Sequence, residues 1–147
     1  MVGTIVVGLA LAICSCASGA KPSAASVATL RKLPEDHIFF SGSSTIGETD
    51  YSATGVDNGG AGPYTGWIMG TSAPQADVLS FYAQQLSQRG WQRDDADVIR
   101  GTGEVLVAGW QKGRYIFRLG FSRPGDPRNP GHGTYSTVYA ISITMKN

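Results

Sequence analysis

The chain reads as an α+β fold, an antiparallel β-sheet with one amphipathic helix packed on its apolar face. Three observations carry that expectation. Residues 71–90 repeat apolar side chains at helical spacing, two runs flanking Lys112-Gly113 alternate with a period of two, and a further alternating run ends the chain. A single helix among short strands joined by tight turns buries its stripe most simply against one face of an antiparallel sheet.

At the N-terminus, residues 2–13 form an almost unbroken apolar run that leads into Cys14-Ser15-Cys16. Such a run matches the roughly 7–15 residues of a secretory h-region and is shorter than the roughly 20 a membrane-spanning helix needs. Ile13-Cys14-Ser15-Cys16 resembles the lipobox, in which a branched aliphatic and small residues precede the cysteine that receives diacylglycerol. Ile13 stands at the aliphatic position and Ser15 is small before the cut, which makes Cys16 the lipidation residue. Two departures stand beside this: Cys14 occupies the middle position, and Met1-Val2-Gly3 lacks the usual Lys or Arg. Because residues 1–20 carry no charge, an uncleaved anchor is one alternative, and simple secretion with cleavage elsewhere is the other.

Residues 1–16 are therefore read as a lipoprotein-type signal sequence, 17–33 as a flexible tether and 34–147 as a single domain. The tether is small and polar, with Pro22, and cannot bury enough apolar surface to order itself. Both cysteines lie in the signal region, so cleavage before Cys16 leaves the domain without an internal disulfide. Packing alone must hold its hundred or so residues together, a common size for one core.

Within the domain, His37-Ile38-Phe39-Phe40 and Trp67-Ile68-Met69 are short strand candidates ahead of the helix. In the helix, Ser72 is placed to cap and Gln75 to complete a capping box, with Pro74 tolerated in the first turn. Val78, Leu79, Tyr82 and Leu86 form the apolar stripe. Gly90 suits a left-handed C-terminal position, and Trp91 can fold back on the last turn. Beyond the helix, a turn at Lys112-Gly113 that pairs Gln111 with Arg114 sets Trp110 opposite Tyr115, Ala108 opposite Phe117 and Leu106 opposite Leu119. All six then share one face, which a slip of one residue would destroy. Tyr135, Tyr139, Ile141, Ile143 and Met145 alternate with smaller residues in the final strand.

Two Gly-rich stretches, 54–66 and 123–133, read as loops. Three prolines exclude a central strand from the second, whose Arg123, Arg128 and His132 make it the candidate binding loop. A solvated connection is the plainer reading of the same residues.

The search for reaction chemistry is mostly negative. His37 and His132 lack partners at metal-site spacing, so no metal is expected. Asp94-Asp95-Ala96-Asp97 starts like a calcium loop but lacks its sixth-position glycine and terminal Glu. No G-x-S-x-G elbow, Ser-x-x-Lys pair, phosphate loop or dinucleotide fingerprint occurs. We expect no catalytic residues, no cofactor and no enzyme activity.

Charge is uneven along the chain. From residue 35 to 109 there are ten acids against three bases, and from 110 onward six bases against Asp126 alone. Either the two halves complement each other, or Lys112, Arg114, Arg118, Arg123 and Arg128 form a patch facing anionic lipid or an acidic partner. A net charge of +1 argues against nucleic acid.

The helix end Phe81-Tyr82-Ala83-Gln84-Gln85-Leu86 with Gly90-Trp91, followed by Trp110-Gln111-Lys112-Gly113 and Phe117-Arg118-Leu119, resembles the small secreted lipoproteins of high-GC Gram-positive bacteria. The likeness spans roughly residues 69–121. It implies an envelope location and a helix on an antiparallel sheet, and it transfers no catalytic residue. The expected role is that of an outward-facing protein held on the cell membrane by its N-terminal lipid, accessory or binding in function, with an envelope protein as partner. A structural subunit of an envelope complex and a prophage-type exclusion lipoprotein are the alternatives.

Overall fold

The computed structural model describes residues 24–51, 63–95, 104–123, 126, 129, 131 and 133–146, with side chains for all of these except 24–26, 51 and 104–107. Six strands form one antiparallel sheet: β1 (Ser44–Tyr51), β2 (Tyr64–Thr71), β3 (Gln92–Arg93), β4 (Glu104–Lys112), β5 (Tyr115–Ser122) and β6 (Thr137–Met145). Their order across the sheet is β1-β2-β6-β5-β4-β3, so the final strand inserts between β2 and β5. Helix α1 (Ala24–Leu30) leads into a single 3₁₀ turn, Pro34–His37, and helix α2 (Gln75–Gln88) joins β2 to β3. This is the α+β arrangement expected from the sequence.

Alternation in the strands decides which face is buried. Phe117, Leu119 and Phe121 of β5 and Tyr139, Ile141 and Ile143 of β6 point to the helix side, where Val78, Tyr82 and Leu86 of α2 meet them. Tyr82 is the hinge of this packing. Its ring lies 5.6 Å from that of Phe117 and 6.0 Å from that of Tyr139, and its hydroxyl donates to the carbonyl of Ile38 at 2.9 Å. Burial and the neighbouring Tyr139 push the Tyr82 hydroxyl pKa far above its ordinary value, so it remains a neutral donor.

The α2 C-terminus closes as its sequence implies. Gly90 takes φ +79°, its N–H donates to Ser87 O, and Trp91 N–H donates to Leu86 O at 3.0 Å. These are the two bonds of a Schellman motif, and they carry Trp91 into the core. The N-terminus differs from expectation. Strand β2 runs through Thr71, Pro74 holds the capping position without a side-chain bond, and Ser72 is not the cap. The Thr71 hydroxyl accepts the Ala73 N–H instead, at 3.2 Å, which draws the chain into the strand and delays the helix.

The hairpin register also shifts. Lys112 pairs with Tyr115, so the turn is Gly113-Arg114, and Trp110 faces Phe117 while Ala108 faces Leu119. Gly113 takes φ +58° at the first turn position, which suits a glycine-led two-residue turn. The shift is two residues, an even number, so each side chain keeps the face the alternation assigned to it.

Three further boundaries need correction. Pro34–His37 is a 3₁₀ turn and residues 38–40 join no ladder, so the His37–Phe40 strand does not form. The loop read over 54–66 is already strand from Tyr64. Its partner β1, missed in the sequence, is an edge strand whose described side chains are exposed or half-buried and show no apolar alternation. The domain also begins before residue 34. Residues Ala24–Leu30 are helical and Leu30 is fully buried, because its side chain joins the cluster under α2. The tether of 17–33 therefore cannot extend that far.

The opposite sheet face is lined by smaller groups. A ladder row places Gly66, Ser142, Arg118 and Gly109 side by side. At one end of this face the ring of Tyr135 lies over Gly70, where a Cβ would come within 2.3 Å of it, so only glycine admits that closure.

Candidate functional site

Two ends of the sheet organise the polar chemistry: one carries the β4–β5 turn, the other the connection from β5 to β6. At the first, the 3₁₀ turn brings two carboxylates inside. Glu35 and Asp36 are 3 % and 2 % exposed, in the acid-rich half of the domain. Proline at the start of the turn and the extended residues after it leave both side chains pointing inward, one to each side.

Asp36 accepts from Thr65 Oγ1 at 2.7 Å, Arg31 Nη1 at 2.9 Å and Trp67 Nε1 at 3.4 Å. Arg31 lies over the Trp67 ring, 4.5 Å from its centroid, and also bridges to Glu48 at 2.6 Å and to Asp50. Burial disfavours its charge, but Asp36 and Asp50 more than offset this and raise the guanidinium pKa. One cation thus gathers three carboxylates and ties α1 to the β1–β2 edge. His37 is exposed, with its ring 6.0 Å from that of Trp67.

Glu35 turns the other way. It accepts from Trp91 Nε1 at 3.0 Å and faces Lys112 Nζ at 3.5 Å. Burial would raise its pKa, but the indole N–H, a backbone N–H and Lys112 outweigh burial and hold the carboxyl below its usual range. A lowered folded pKa contributes stability that is complete above the ordinary carboxyl value near ~4.3 and lost as pH falls through the folded value. Glu35→Gln should therefore flatten the acid limb: between about pH 5 and about pH 3 its thermal midpoint should fall less than that of the unaltered chain. Parallel midpoint curves for the two proteins would refute the assignment.

Beside this pair, a cleft of about 410 Å³ opens between Gly90, Gln92, Arg93 and Asp94 on one side and Gln111, Lys112 and Gly113 on the other. Arg93 stacks on Trp110 at 4.6 Å and pairs with Asp95, whose carboxyl also accepts the Gly109 N–H at 2.9 Å. Burial opposes ionisation of Asp95, and these two donors overcome it and lower its pKa. The cleft offers amide and cationic donors beside the carboxylate of Asp94, which suits it to bind polar groups. It presents no paired nucleophile and base. Among the described residues no group of three His, Cys, Asp or Glu side chains could hold a metal.

Of the residues expected from sequence, Arg123 is exposed just after β5, at the opposite end of the sheet. Arg128, His132 and Cys16 lie outside the described residues. The proposed late basic patch is not one surface. Lys112 and Arg114 stand at the β4–β5 turn, Arg123 at the far end, and Arg118 midway on the second face, where its Nε is buried without a hydrogen-bond partner. A single strand cannot bring both of its ends to one place. Glu35, Asp36 and Arg31 were missed as interacting groups. The one local signal was a proline followed by two acids, set between Leu33 and the apolar run Ile38-Phe39-Phe40.

No known family model, no characterised protein and no solved structure matches this chain. Among the described residues no helix is long and apolar enough to cross a membrane.

Proposed function

We propose that this chain is an exported domain held on the outer side of the cell membrane by a lipid on Cys16, with an accessory or binding role rather than a catalytic one. The observation that supports the reading is the lipobox-like Ile13-Cys14-Ser15-Cys16, which stands just ahead of helix α1, the first element the core uses. A leader of h-region length followed by a cysteine and a short spacer is the layout an anchored domain needs. The cleft beside the β4–β5 turn, with Gln92, Gln111 and Lys112, is the surface best equipped for polar ligands. Prophage exclusion and membership of an envelope complex would use the same anchor and differ only in what the domain touches.

Metabolic labelling with a fatty-acid probe tests the anchor. Cys16→Ser should abolish labelling and leave an unprocessed or released chain, while Cys14→Ser should remain labelled. Label surviving on the Cys16→Ser chain would sink the assignment.

A further inference from the structure

We infer that the end of the sheet carrying the β4–β5 turn faces the anionic surface of the membrane that holds the anchor. The inference rests on the lipid-anchor reading and adds an orientation to it. Leu30 and Arg31, at the end of α1, already stand at this end of the sheet, because Arg31 bridges to Asp50 and Asp36, and Asp50 pairs with Thr65 near the start of β2. Seven residues separate Cys16 from Ala24. Seven residues and the bonds that flank them reach at most about 28 Å. The spacer joins the chain at Ala24, and α1 is only about 10 Å long, so the point of attachment stays within about 10 Å of this end, whereas β2 spans about 26 Å to the opposite end.

Charge selects the same end. Arg89 at the α2 C-terminus, Arg114 in the turn and Lys146 after β6 are all exposed, and Lys146 N–H donates to the Arg114 carbonyl. Lys112 and Arg93 stand among them, offset in part by Glu35, Asp94 and Asp95, so among the described residues the five cations of this corner outnumber its three carboxylates. The β1 corner of the same end differs: Arg31 faces Asp36, Glu48 and Asp50, which leaves an excess of negative charge. The hairpin corner should thus touch anionic headgroups first, with β1 tilted away. At the far end the described charges are Asp77, Arg123 and Asp126, which offer anionic lipid no net attraction. The diacylglycerol expected on Cys16 holds the chain on the bilayer by itself, so basic side chains here set the orientation of the domain, each worth about fivefold in affinity at an anionic surface.

The test uses the full acylated chain, reconstituted in vesicles of phosphatidylcholine alone or with about 30 % phosphatidylglycerol, and reads lysine acylation by mass spectrometry. On anionic vesicles at low salt, Lys112 and Lys146 should react about fivefold more slowly than on neutral ones, and high salt should remove the difference. Arg114→Glu with Lys146→Glu should abolish the slowing at Lys112 while the thermal midpoint stays unchanged. A chain that floats with both vesicle types but shows equal rates at Lys112 and Lys146 keeps its anchor and overturns the orientation alone. A chain that does not float with neutral vesicles lacks the anchor and overturns both readings.

Discussion

Phe117→Ala is expected to destabilise the domain by about 3–5 kcal/mol, a large share of the roughly 5–15 kcal/mol that holds a typical domain folded. Phe117 lies on β5, which is flanked by β6 and β4, and its side chain is fully buried. Three rings converge on it: Tyr82 at 5.6 Å, Trp91 at 6.1 Å and Trp110 at 6.1 Å. Those neighbours come from α2, from its C-terminal cap and from β4. A cavity at their junction cannot be filled by one side chain relaxing, because each of the three is fixed by its own element. The thermal midpoint should fall by on the order of 15 °C, whereas Phe117→Leu, which keeps most of the volume, should cost about 1 kcal/mol. If alanine and leucine proved equally mild, the aromatic cluster would not be the closed core described above.

Asp36→Ala is the second large effect, expected at about 3 kcal/mol by urea unfolding. The carboxylate is 1 % exposed and serves three donors, of which Thr65 is itself fully buried. Its removal strands the Thr65 hydroxyl, a buried unpaired donor that costs about 1–3 kcal/mol, and adds a smaller loss at the indole of half-buried Trp67, whose bond is 3.4 Å long. Arg31 is spared that fate, since Glu48 and Asp50 still neutralise it and their mutual repulsion with Asp36 is relieved. The loss should therefore lie mainly in the stranded hydroxyl. Adding Thr65→Val to Asp36→Ala removes that donor and should restore part of the stability, whereas Thr65→Val alone should destabilise. Strictly additive effects of the two changes would show that the hydrogen bond between them contributes nothing.

These two sites differ in how far the sequence announced them. Phe117 was placed on the buried face by alternation alone, and its neighbour Tyr82 by helical spacing. The register that brings Phe117 opposite Trp110 was read two residues off, an error the period-two pattern tolerates because an even slip preserves every face. Asp36 gave no such warning. It belongs to a run of acids that a linear reading spreads over a solvated half of the molecule, and its donors lie 5, 29 and 31 residues away.

Local chemistry was enough for the body of α2 and its Gly90-Trp91 cap, whose bonds join residues up to five positions apart, and for the buried faces of the hairpin and the last strand, whose period of two is a local pattern even though their ladder partners are distant. It was not enough for β1, whose exposed residues carry no alternation and which becomes a strand only because β2 offers it a ladder. Nor could it reveal that α1 belongs to the core, since a short run of small residues orders only when Leu30 finds a cavity to fill. The interior position of Glu35 depends on Trp91 and Lys112, 56 and 77 residues downstream. A carboxylate enters a protein interior only where donors converge to replace its water, and that convergence is set by the order of strands in the sheet, which no local pattern encodes.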